Sequence, residues 1–148
     1  MDEEIIKEKT SADHLMYVSL KYTKTCDVIL NLLARWKSLI EISFDAILEK
    51  GCEDGSIACM HATPKQRIEF INKYFSKDDA IQKVVPLYVF FKRVPELKKV
   101  RSGEFRKNVN LKIVVTPTKN VDINMEKLSE YYDVVEAFMI RVKAILSK

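Results

Sequence analysis

Residues 26–50, CDVILNLLARWKSLIEISFDAILEK, decide the fold class. Apolar side chains fall at Val28, Ile29, Leu32, Leu33, Trp36, Leu39, Ile40, Phe44, Ile47 and Leu48. Those steps of three and four stack side chains on one face of an α-helix. Asn31, Arg35, Lys37, Glu41, Asp45 and Glu49 fill much of the remainder, and Gly51 follows the last apolar pair as a stop signal. At a rise of 1.5 Å per residue such a helix is about 37 Å long. A strut of that length needs neighbours to cover its apolar face.

Working outward, Ser11 or Asp13 can cap an earlier helix that packs through Leu15, Met16, Tyr17, Leu20 and Tyr22, with residues 1–11 either extending it or fraying. Thr23-Lys24-Thr25 is the joint. Downstream, Thr63-Pro64 pairs a capping hydroxyl with proline at the first helical position, and Ile68, Phe70, Ile71, Tyr74 and Phe75 follow as a short amphipathic helix ending near Ser76. Asp78 or Asp79 caps the next helix, which runs to about Arg93. Pro86 is expected to kink or restart it, and Pro95 to end it. Asp122 or Asn124 caps a closing helix carrying Leu128, Tyr131, Val135, Phe138, Met139, Val142, Ile145 and Leu146 on one face.

Residues 96–123 read two ways. Val109, Leu111, Ile113 and Val115 alternate as in a strand, yet Phe105, Val109 and Ile113 also keep a helical step of four. A lone hairpin is marginal, so the expectation is a short helix or an extended segment packed on helices. Thr116-Pro117-Thr118-Lys119-Asn120 reads as a loop. The fold class that follows is all-α: one domain over 1–148, an antiparallel, up-and-down bundle of four to five helices, with any extended piece confined to about 109–115.

The 148 residues contain only 3 Gly and 4 Pro, too little punctuation for a turn-rich sandwich. The longest apolar run, 84–91, is far short of the roughly 20 residues that span a bilayer. The acidic Met1-Asp2-Glu3-Glu4 start does not read as a signal peptide, which gives the expectation of a soluble, cytoplasmic domain. Reduced thiols are then expected at Cys26, Cys52 and Cys59. Cys52, Cys59 and His61 bring three soft ligands within ten residues, but the six-residue gap between the cysteines departs from the usual zinc spacing. Buried or partly exposed thiols are the reading set against a metal there, and no cofactor is expected.

Charge is uneven. The chain carries a formal +4, and between Lys92 and Lys112 eight basic residues meet only Glu96 and Glu104, a local surplus of six. Arg93, Lys98, Lys99, Arg101, Arg106 and Lys107 are the candidate anion- or nucleic-acid-binding residues, because concentrated positive potential attracts polyanions through counterion release. A solvated connection kept soluble by its lysines is the alternative. The run 84–91 is apolar on more sides than one helix face, so Tyr88, Phe90 and Phe91 are candidates for an interface, unless the segment threads the centre of the bundle.

No Gly-rich phosphate loop occurs, and the acidic residues are scattered. The helix layout does resemble the HEPN (higher eukaryotes and prokaryotes nucleotide-binding) domain. The stretch 34–48, ARWKSLIEISFDAIL, is similar to that family's second helix. Residues 121–132, VDINMEKLSEYY, running on to 138–142, FMIRV, are similar to its closing helix. The likeness covers about 12–147 and implies RNA or nucleotide contact, a homodimer and, in some members, a nucleotidyltransferase partner. Active members carry an arginine followed within a few residues by a histidine. The corresponding region here, 101–112, reads RSGEFRKNVNLK, and no histidine follows His61. The implied function is therefore a non-catalytic HEPN-like module binding RNA or nucleotide through 92–112. The alternatives are a protein-interaction module without a nucleic-acid role and a ribonuclease using another base.

Overall fold

The structure is a computed structural model that describes residues 2–58 and 63–148. Helix α1 (Glu3–His14) passes into a π-helical stretch (Leu15–Ser19) and a last α-helical turn (Leu20–Tyr22). Then come α2 (Cys26–Glu53), α3 (Pro64–Tyr74), α4 (Asp79–Arg93) and a 3-10 turn (Val94–Glu96). Strands β1 (Lys98–Ser102), β2 (Asn110–Thr116) and β3 (Lys119–Ile123) precede α5 (Met125–Leu146). The fold is thus mostly helical but not an all-α bundle. A three-stranded antiparallel sheet of order β1-β2-β3 is inserted between α4 and α5, and it overturns the expectation of a pure helical bundle.

The helix ends follow local chemistry. Thr25 Oγ1 accepts from the Val28 N–H at 3.3 Å and opens α2. Thr63 and Gln66 form a reciprocal capping box on α3 with Pro64 at its start. Asp78 accepts from Ile81 N–H, and Asn124 from Lys127 N–H at 2.8 Å. At the amino end, Asp2 accepts from Glu4 N–H, so α1 is helical from Glu3, and Ser11 and Asp13 lie inside it rather than capping it. Ile5 and Ala12, seven residues apart on one helix face, are fully buried and hold this segment in place.

Gly51 does not stop α2. It is buried inside the helix, where a Cβ would lie 2.6 Å from Ile57 Cγ1; the glycine admits the close return of the chain at Ser56 and Ile57. Helix α4 runs from Asp79 to Arg93 with Pro86 inside it, so the proline does not divide it.

Helix α2 is the central element, packing on α1, α3, α4, α5 and β2. Trp36 stacks on Phe91 at 5.9 Å between centroids, and Phe44 meets Tyr88 and Phe138 edge-to-face, each at 5.4 Å. Tyr88 and Phe91 are therefore core residues and form no exposed face; Phe90 is half-buried. Positions 84, 88 and 91 share one stripe of α4, and that stripe faces α2 and α5.

The extended piece expected near 109–115 is the strand β2, Asn110–Thr116, with Val109 just before it. Val109, Leu111 and Ile113 are fully buried, so the period of two prevails over the step of four. Leu111 pairs with Arg101 and Ile123, and Ile113 with Lys99 and Val121. The stretch read as a loop contains the two-residue turn Pro117-Thr118 and the start of β3. Proline fixes φ near −65° and so does not fit the primed turns that hairpins favour. The register shift between Val114 and Thr116 is where the ribbon accommodates it.

Candidate functional site

The pleat sorts the basic residues by direction. Lys99 and Arg101 pair with the buried residues Ile113 and Leu111, so their side chains leave β1 on the inner face of the sheet. Both are engaged there. Lys99 Nζ donates to the Leu97 carbonyl at 2.8 Å, and Arg101 Nη1 meets Asp27 Oδ1 at 2.7 Å on the first turn of α2. Lys98 and Lys112 leave on the outer face with Val100 and Val114. Asp122 is the one carboxylate among the strand residues of that face, and it accepts from Asn110 Nδ2 at 3.0 Å. Arg106 and Lys107 are exposed in the turn joining β1 to β2. Of the eight basic residues of 92–112, only Arg101 is in an ion pair. At about 3.3 Å per residue, the track from Lys98 to the turn is about 13 Å long.

The turn is built to present Phe105. Gly103 has φ +65° and lies against the next segment; a Cβ there would sit 2.5 Å from the Asn108 carbonyl oxygen. Phe105 is itself left-handed at φ 65°, which is rare for a bulky side chain. Its N–H donates to the Lys24 carbonyl at 2.7 Å. The neighbouring Glu104 carboxylate accepts from Cys26 N–H at 3.1 Å, satisfying a donor at the positive end of α2. The turn is pinned at Glu104 and at the Phe105 N–H while Phe105 itself is 75% exposed, followed in sequence by Arg106 and Lys107. Sequence reading used Phe105 only as a packing position. The signal it offered was an aromatic followed directly by two cations.

The remaining predicted cation, Arg93, sits elsewhere. It borders a cleft of about 530 Å³ between α4, the sheet and α5, to which the half-buried Phe90 also contributes. The structure thus places Lys98 and Lys112 on the outer face of the sheet, Arg106 and Lys107 exposed in the turn, Lys99 and Arg101 on the inner face, and Arg93 at the cleft.

Cys26 is not poised for nucleophilic chemistry. Burial, followed by the hydrogen bond and charge of Glu104, pushes the Cys26 thiol up to about 11, and its Sγ donates to the Asn110 carbonyl at 3.3 Å. A neutral thiol is a poor nucleophile. Cys26 is free, whereas Cys52 is disulfide-bonded, so the expectation of reduced thiols fails at Cys52. The metal reading of Cys52, Cys59 and His61 falls partly outside the described residues; among the described residues no group of three ligands could hold a metal. Among them, too, no helix is long and apolar enough to cross a membrane.

Compared with known proteins, the chain matches no family model, no curated protein and no solved structure.

Proposed function

We propose that this chain is a non-catalytic RNA-binding module that holds single-stranded RNA along the outer face of its sheet. The observation that carries the reading is Phe105, a bulky residue kept in a left-handed conformation with its ring in solvent and two unpaired cations after it. A strained residue held by its surroundings is a mark of function. An exposed aromatic beside a cationic track is how sequence-tolerant single-strand binders stack bases and follow phosphates. Lys98, Lys112, Arg106 and Lys107 would meet the phosphates. The cytoplasmic setting belongs to the same reading. So does the HEPN likeness, which rests on helix order. The homodimer and the nucleotidyltransferase partner stay with that likeness, since the binding face described here is complete in one copy.

The test is fluorescence anisotropy with a labelled single-stranded oligoribonucleotide. Phe105→Ser is expected to weaken binding by about 1–3 kcal/mol, roughly five- to 150-fold. The double change Arg106→Gln/Lys107→Gln is expected to flatten the slope of log affinity against log salt by about 1.4, some 0.7 for each lost phosphate contact. Absence of binding at low ionic strength, or full affinity in Phe105→Ser, defeats the reading.

A further inference from the structure

We propose that the cleft between α4, the inner face of β2–β3 and α5 is a binding site for a small amphipathic anion: an apolar body ending in a single carboxylate or phosphate. Its volume, about 530 Å³, lies within the range of small-molecule sites, which are concave and mostly apolar with a few convergent polar groups. The walls are Leu87 and Phe90 of α4, Val115 and Val121 of the sheet, and Tyr131 and Val134 of α5. All six are only partly buried, so a ligand there would take apolar surface out of water that the fold itself leaves wet.

The rim sets the charge of the occupant. Lys83, Arg93 and Lys119 stand around the opening against the single carboxylate of Glu130. Lys83 is matched by Asp79 at 3.1 Å, and Glu130 by Lys127 at 3.3 Å. Among the described residues Arg93 and Lys119 have no carboxylate partner, and they come from different elements, the end of α4 and the start of β3. Two unmatched cations lining one apolar cleft suit an anionic head on an apolar tail.

Tyr131 supplies a third polar group. Its ring meets Phe91 edge-to-face at 5.3 Å, which fixes the side chain, and its hydroxyl has no hydrogen-bond partner among the described residues. Burial, with the nearby Glu130 carboxylate, pushes that hydroxyl up to about 12; like any phenol it is protonated at neutral pH and can donate to an anion. The site is independent of the outer face of the sheet, since no residue of the Phe105 track lines it.

The probes are decanoate and decanol, which share a chain and differ in charge, titrated calorimetrically into the full chain. Decanoate is expected to bind with one site and at least tenfold more tightly than decanol. Arg93→Gln/Lys119→Gln, both at exposed positions, is expected to bring decanoate down to the decanol affinity. Val134→Trp, which fills the cleft, is expected to abolish binding of both. Phe105→Ser is expected to leave decanoate binding unchanged, so that this site and the RNA-binding face fail or stand separately. Equal affinities for the two probes, full affinity in the double variant, or no decanoate binding below its aggregation threshold overturns the proposal. The exposed double variant decides the matter even if Val134→Trp does not fold.

Discussion

Tyr88→Phe keeps the ring and removes a hydroxyl that bonds Glu41 and also reaches the Arg67 guanidinium. The hydroxyl donates to Glu41 Oε2 at 2.7 Å, joining α4 to α2, while the ring is fully buried and packs edge-to-face on Phe44. Phenylalanine keeps the ring. A hydrogen bond to a charged acceptor contributes about 1.5–3 kcal/mol. For a chain of this length each kcal/mol moves the midpoint by about 2–4 °C, so the variant should melt about 3–12 °C lower at pH 7. The pH dependence has a definite sign. Burial alone would raise the Glu41 carboxyl, but the hydrogen bonds from Tyr88 and Lys37, with the charges of Lys37 and Arg67, outweigh it and hold the group below the usual carboxylate range. A carboxyl lowered in the folded state contributes stability above its unfolded value, near 4.3, and that contribution is lost as pH falls through the folded value. The gap between wild type and Tyr88→Phe is therefore largest at neutral pH and narrows in acid, toward the roughly 0.5–1.5 kcal/mol of a neutral hydrogen bond. Urea unfolding at neutral and acidic pH, followed by Trp36 emission, measures it. Trp36 is the only tryptophan and is buried on Phe91, so its signal reports the core. A gap under about 0.5 kcal/mol at pH 7, or one that widens on acidification, refutes the reasoning.

Gly103→Ala should destabilise by about 1–3 kcal/mol, because a left-handed alanine there would also press on the Asn108 backbone, which cannot rotate away as a side chain would; urea titration reads it, and RNA affinity should fall in parallel. Asn124→Ala removes the cap of α5 and should cost about 1 kcal/mol, whereas Asn124→Gly should cost only a few tenths. At pH 8 the Cys26 thiol, held up to about 11, should react with a disulfide reagent only as fast as the protein opens, so urea should accelerate labelling at this position. Arg101→Gln should leave the melting temperature unchanged, since its pairing with Asp27 is exposed and surface ion pairs contribute little.

The helices were legible because their signals are local. Thr63-Pro64 with Gln66 three residues after the threonine, and Asn124 before an apolar period, carry their own capping chemistry. The apolar stripe of α2 repeats often enough to leave one solution. The sheet had no such signal. Lys98-Lys99-Val100-Arg101-Ser102 contains a single apolar residue, and β3 contains only Val121 and Ile123. Both are edge strands whose structure comes from pairing with β2 rather than from composition, and lysines on such an edge oppose further pairing. β2 fits two periods in sequence. Contact with α2 and two partner strands chooses between them, and that contact is non-local.

The candidate site was half legible for a related reason. A surplus of six charges counted along 92–112 is not a potential in space, because a strand sends successive side chains to opposite faces. Lys99 and Arg101 are consumed on the inner face, and what remains outside is Lys98, Lys112 and the turn. The surplus of apolar residues on α4 was real as well, but of the three side chains named for it, Tyr88 and Phe91 are buried and Phe90 alone lines the other stripe. Steps of four and three from Val84 lead to Tyr88 and Phe91, which is the core stripe. The other stripe runs Lys83, Leu87, Phe90, Arg93 with the same steps, and it lines the cleft. Leu87 and Phe90 pack against the core from its edge and stay partly exposed between Lys83 and Arg93, which is why one helix can carry more apolar residues than its buried stripe holds.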